Sequence, residues 1–153
     1  MNTSDEGLNF ITLWEGCNLK RYRDAIGFWT IGVGHLIVDA DPMEQWKNKG
    51  ITAEKALELL KSDVDHAELL INRYVSWPLK QTQFDALRSW AFNCGSAIRT
   101  STLIRELNIG NEGRVGKELV RWNRAGGKIL AGLTKRRAAE GRLFNLNDYG
   151  SGP

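Results

Sequence analysis

The strongest constraint on this chain is a single long amphipathic pattern in its middle. From Thr52 onward the apolar residues Ala56, Leu57, Leu60, Val64, Ala67, Leu70, Ile71 and Tyr74 recur at intervals of three and four, which is one face of an α-helix. Thr52 offers an N-cap hydroxyl and Trp77-Pro78 stops the pattern, because proline cannot continue a helix. A helix over about 52–75 suits a connector between two lobes.

The segments on its two sides differ in character. Before it, from Tyr22 to Val38, Gly27, Gly32 and Gly34 are interleaved with Phe28, Trp29, Thr30, Ile31, Val33, Leu36, Ile37 and Val38, the composition of two or three short antiparallel strands joined by tight turns. The stretch from Asp39 to Gly50, with Pro42 and Lys-Asn-Lys-Gly, reads as a surface connection. After the long helix the pattern stays helical: about Gln83 to Cys94 with Gly95 as its C-terminal stop, then Ser101 to Leu107, Arg114 to Trp122 and Leu133 to Phe144, separated by glycine-containing turns. A short N-terminal helix from Leu8 to Trp14 follows a Ser4/Asp5 cap signal.

The expected fold class is therefore α+β, a small glycine-rich antiparallel β lobe joined by a long helix to a larger, mainly α-helical lobe, with a cleft between them. The boundaries are a single domain over 1–153, with the β lobe at about 16–50, the interlobe helix at about 52–75, and the helical lobe at about 80–146 plus the N-terminal helix. The tail 147–153 reads as frayed.

At 153 residues the chain can bury enough apolar surface to fold without a disulfide or a metal. A net charge of +3 favours encounter with polyanions in general and selects none of them. Cys17 and Cys94 lie in no Cys-x-x-Cys or His-rich cluster, so free thiols are expected and no cofactor or metal. Cys94 reads as a small core hydrophobe. The polar, acidic start Met1-Asn2-Thr3-Ser4-Asp5-Glu6-Gly7 lacks the features of a signal peptide, and no run of apolar residues is long enough for a membrane span. Synthesis and retention in the cytoplasm are expected.

Glu15 falls at the end of the first helix before Gly16, where the negative pole of the helix dipole disfavours a carboxylate. An acid there is placed for something other than helix stability. Asp24 follows nine residues on and Thr30 six later. Two acids in unlike environments are what a glycosidase needs, one to protonate the departing oxygen and one to stabilise an oxocarbenium-like state or activate water. Such spacing is common, and by itself it favours solvated carboxylates and a strand threonine. His35, after Gly34, reads as a structural group whose partner is Asp63 or Asp65 on the long helix. Lys135-Arg136-Arg137 reads as a solvated basic face, with reach to anionic glycan groups or to Glu15 as the alternative.

Glu15, Asp24 and Thr30, followed by Ile31-Gly32-Val33-Gly34-His35-Leu36, resemble the signature of phage-type lysozymes, glycoside hydrolase family 24. Ile51-Thr52-Ala53-Glu54 and Asp63-Val64-Asp65 are similar to the family's interlobe helix. Gln83-Phe84-Asp85-Ala86-Leu87 and Ala91-Phe92-Asn93-Cys94-Gly95 are similar to its central helix, and Ser101-Thr102-Leu103, Trp122 to Gly127 and Gly132 to Arg137 to its closing segments. The resemblance implies a muramidase acting on bacterial peptidoglycan, with Glu15 as general acid, Asp24 with Thr30 positioning the attacking water, and inversion at the anomeric carbon. It further implies substrate contacts at Leu36, Phe92 and Thr102, a monomer, and a separate membrane pore, holin-like, that admits the enzyme to the wall. A lytic transglycosylase, an inactive wall-binding module and a nucleic-acid binder are the competing readings. Asp24 with Thr30 argues against the first, and the absence of a recognised motif argues against the last.

Overall fold

The structure, a computed structural model, describes residues 1–24, 27–39 and 41–150. It divides into two compact units, one made of Met1–Trp14 with the chain from His66 onward, the other of Glu15–Asp65. The boundary falls inside the long helix, α3 (Ala53–Tyr74), which the apolar spacing predicts and which Thr52 caps by accepting the Lys55 amide at 3.2 Å.

The unit Glu15–Asp65 is built on a three-stranded antiparallel sheet, β1 (Asn18–Arg23), β2 (Trp29–Gly32) and β3 (His35–Leu36), in that spatial order. Strand β1 starts earlier than glycine composition suggests, because Asn18 pairs with Gly32 across an irregularity that ends where Tyr22 pairs with Thr30. Alternation along the strands sorts side chains onto two faces. Tyr22, Thr30 and Leu36 stand in one cross-strand row, while Arg23, Trp29, Ile31 and His35 belong to the other face.

That second face carries the unit's own core: Ile31, Ile37 and Trp46 are buried, with Trp29, Ile51 and Leu59 packed against them. Trp46 corrects the reading of 39–50 as a plain connection. It lies in a helix, α2 (Met43–Lys49), and is 5% exposed. Helix α2 is short and its polar residues mask any periodicity, so one buried indole against two isoleucines fixes it in place. Glycine at position 50 closes this helix with φ +72, and a side chain there would collide with the Leu19 carbonyl.

The other unit is helical. Its helices are α1 (Asp5–Glu15), the end of α3, α4 (Gln81–Cys94), α5 (Thr102–Asn108), α6 (Val115–Val120) and α7 (Ala131–Leu146), with 3₁₀ turns at Gly95–Thr100 and Glu112–Arg114. Ser4 caps α1 as expected, its Oγ accepting the Gly7 amide at 3.0 Å. Helix α4 is the core's centre: Gln83 to Ala91 are all buried. Phe84, Leu87 and Trp90 meet Phe10, Ile71, Leu103, Leu119 and Phe144 in one apolar cluster.

Three expectations for this unit are corrected. The glycine-containing turn after Trp122 is a two-stranded hairpin, β4 (Arg124–Ala125) with β5 (Lys128–Ile129). The tail is anchored at Tyr149, whose hydroxyl donates to Asp85 at 2.8 Å and whose ring packs edge-on to Phe10; residues 151–153 lie outside the described residues. The basic run is not a solvated face. Lys135 is exposed, but Arg136 and Arg137 are buried around Glu140.

Candidate active site

Glu15, Asp24 and Thr30 all fall within the unit Glu15–Asp65. Glu15 is the last residue of α1, half-buried, and Gly16 with φ +72 turns the chain out of the helix toward β1. A side chain on Gly34 would begin 3.9 Å from Glu15 Oε2. The turn between β2 and β3 therefore runs beside this carboxylate, and glycine keeps the space next to it open.

Asp24 follows the last residue of β1. Its amide donates to the Phe28 carbonyl at 2.9 Å, its carbonyl accepts the Gly27 amide at 3.0 Å, and its Oδ1 accepts the Phe28 amide at 2.9 Å. Thr30 is 4% exposed, and its hydroxyl donates to the Phe28 carbonyl at 3.3 Å. One backbone unit, Phe28, thus connects the Asp24 carboxylate to the Thr30 hydroxyl.

Tyr22 joins the two carboxylates electrostatically. Its phenol is pushed above its ordinary value by burial first, and then by the negative charges of Glu15 and Asp24. Tyr22 is the Cα partner of Thr30, so Tyr22, Thr30 and Leu36 form one row along one sheet face. Sequence reasoning missed Tyr22. The available signal was its place two residues before Asp24, near the end of an alternating strand.

Leu36, 47% exposed, stands in this row beside Thr30. Phe92 and Thr102 belong to the helical unit. Phe92 is half-buried on α4 against the large apolar cluster, and Thr102 is half-buried at the start of α5, next to the Ser101 cap. Cys17 is exposed. Cys94 packs half-buried against the large apolar cluster, lines a cavity of about 590 Å³ with Trp122, Leu130 and Leu133, and accepts a hydrogen bond from Arg137 Nη1 at 3.2 Å. Burial raises its thiol pKa, which keeps it a poor nucleophile.

His35 is where the sequence places it, on the core face of the sheet. Its Nδ1 lies 2.8 and 2.9 Å from the two Asp63 oxygens, and its Nε2 lies 3.3 Å from Asp41. Burial raises the Asp63 carboxyl, outweighing the lowering by His35. Among the described residues no three His, Cys, Asp or Glu side chains gather as metal ligands.

Glu15 at a helix end, Asp24 after β1 and the buried Thr30 hydroxyl are the residues that the resemblance picks out. Comparison with known proteins decides the family, since the profile of the family described as phage lysozyme matches residues 12–140. The chain belongs to the phage lysozyme family. An endolysin of Salmonella phage P22 is 41% identical over 146 residues, covering 94% of this chain and 98% of that protein. An endolysin of Bacillus phage B103 is 39% identical over 147 residues, 94% of this chain but 54% of that protein. The chain thus spans about half the length of that Bacillus phage relative and nearly all of the P22 one. Among solved structures, an endolysin from Escherichia coli O157:H7 phage FAHEc1 superposes with a TM-score of 0.90 at 33% identity, covering 99% of this chain and 98% of that one. For this phage lysozyme family member the α+β class expected from sequence holds.

Proposed function

We propose that this chain hydrolyses the β-1,4 bond between N-acetylmuramic acid and N-acetylglucosamine in bacterial peptidoglycan and so lyses the host cell. The carrying observation is that Glu15 ends α1 beside the Gly34 turn, while the Asp24 carboxylate and the buried Thr30 hydroxyl are both bonded to the Phe28 backbone. In this reading Glu15 gives its proton to the glycosidic oxygen as the bond to the anomeric carbon breaks. Asp24 stabilises the positive charge that develops on the sugar ring and takes a proton from the water that attacks the opposite face, giving inversion. The Thr30 hydroxyl hydrogen is engaged by the Phe28 carbonyl, so its oxygen presents lone pairs that accept a hydrogen bond from that water and aim it. Leu36, Phe92 and Thr102 contact the glycan in this reading.

No helix among the described residues is long and apolar enough to cross a membrane. In this reading the enzyme stays in the host cytoplasm until lysis, as a monomer that reaches the wall through a separate holin-like pore. Turbidity loss of outer-membrane-permeabilised Gram-negative cells tests the activity. Glu15→Gln should keep the fold and wall binding while losing about 10² to 10⁴-fold in rate, the worth of general acid help. Clearing by that variant at the wild-type rate, or products ending in anhydro rings rather than reducing ends, would overturn the assignment.

A further inference from the structure

We propose that Arg23 is a positioning residue for the Asp24 carboxylate, held in place by the indole of Trp29; this rests on the role given to Asp24 above. Arg23 and Trp29 are Cα partners on β1 and β2, on the sheet face opposite Tyr22 and Thr30. The Arg23 guanidinium lies 4.4 Å from the Trp29 ring centroid, and that of Arg21 lies 4.0 Å from the same ring. A guanidinium stacked on an indole keeps the N–H groups along its edge available to donate in plane. Arg23 uses one of them: its Nη1 donates to the Gly27 carbonyl at 2.6 Å, a short charge-assisted bond.

Gly27 is in turn tied to Asp24, donating to its carbonyl, and Phe28 donates to the Asp24 carboxylate itself. Among the described residues packing contributes little here: Gly27 has φ +91 with none of them within 4 Å of where a side chain would start, and Phe28 is 56% exposed. Trp29, by contrast, is half-buried against Ile31, Ile37 and Trp46. Rigidity therefore passes from that small core to Trp29, from Trp29 to Arg23, and through Gly27 and Phe28 to the carboxylate. A reacting group displaced by a fraction of an ångström loses rate while substrate affinity, set by many other contacts, persists.

The test combines steady-state kinetics on purified peptidoglycan fragments, thermal melts, and amide exchange at Gly27 and Phe28 by NMR. Arg23→Ala should lower kcat about ten-fold and leave KM within about two-fold, because geometry rather than binding is lost. It should melt within about 2 °C of wild type, as an exposed cation–π pair contributes little to stability. Arg23→Lys, which cannot stack and donate from one rigid plane, should fall between the two. Combining Arg23→Ala with Trp29→Phe should cost no more kcat than Arg23→Ala alone, since both act through one contact. In Arg23→Ala the Phe28 amide, the one bonded to Asp24, should exchange at least about ten-fold faster while the amides of β2 do not change. Unchanged Phe28 exchange, an unchanged kcat, or a kcat loss matched by a large drop in melting temperature would each overturn the proposal. Failure of the wild type to cleave peptidoglycan would sink the functional reading instead, and the exchange measurement would still decide whether Arg23 orders the Asp24 turn.

Discussion

Glu140→Gln should be among the most destabilising single-atom changes available in this protein. The Glu140 side chain is fully buried on α7, and its Oε1 accepts from Ser89 Oγ at 2.8 Å, Arg137 Nη2 at 2.9 Å and Arg136 Nε at 3.2 Å. Its Oε2 lies 2.9 Å from Arg137 Nε but off the hydrogen-bond direction, so that contact is one of charge. Glutamine keeps an acceptor for the first three bonds. At the second position it places an amide NH₂ against Arg137 Nε, two donors facing each other, and it leaves the fully buried Arg137 without this carboxylate. Breaking a buried pair in this way costs about 3 to 5 kcal/mol. At about 2 to 4 °C per kcal/mol for a domain of this size, the melting temperature should fall by roughly 6 to 20 °C. Urea unfolding at neutral pH, read by near-UV and far-UV dichroism together, gives the loss directly. Adding Arg137→Met should make the double variant more stable than Glu140→Gln alone, because it removes the stranded charge. A Glu140→Gln protein within about 1 kcal/mol of wild type would refute the reasoning, for the pair would then not be sustaining its own desolvation.

Two further outcomes follow from the geometry. His35→Asn should cost about 1.5 to 3 kcal/mol, the worth of hydrogen bonds to a charged group, with turnover of the folded enzyme unchanged; a stable but inactive variant would instead make His35 part of the chemistry. Tyr149 has its pKa pushed up to about 12, by burial first and by Asp85. The folded state holds this proton more tightly than the unfolded chain, so the contribution is whole below about pH 10 and is lost as pH rises through about 12. The melting-temperature gap between wild type and Tyr149→Phe should narrow across that window, and a gap that widens would reverse the assigned sign.

What the sequence determined by itself is what depends on near neighbours along the chain. Apolar spacing of three and four is enough to show α3 and α4, because a helix buries one stripe whatever it packs against. Thr52 and Ser4 act as caps within three residues of themselves, and Gly16 and Gly34 mark turns. The candidate acids were named through family resemblance, which spacing alone could not have done, and His35 could be assigned a partner on the long helix because both lie on predictable faces. Tertiary structure alone decided the rest, where the deciding partner is remote. Trp46 makes α2 a helix by lying on Ile31 and Ile37. Arg136 and Arg137 look like solvent-facing charges until Ser89, 47 residues away from Arg136, and Glu140 surround them. Tyr149 turns a terminal segment into an anchored one through Asp85, 64 residues away. That Tyr22 shares a face with Thr30 and Leu36, and Arg23 one with Trp29, was decided only by strand register, and register is a property of two strands and never of one.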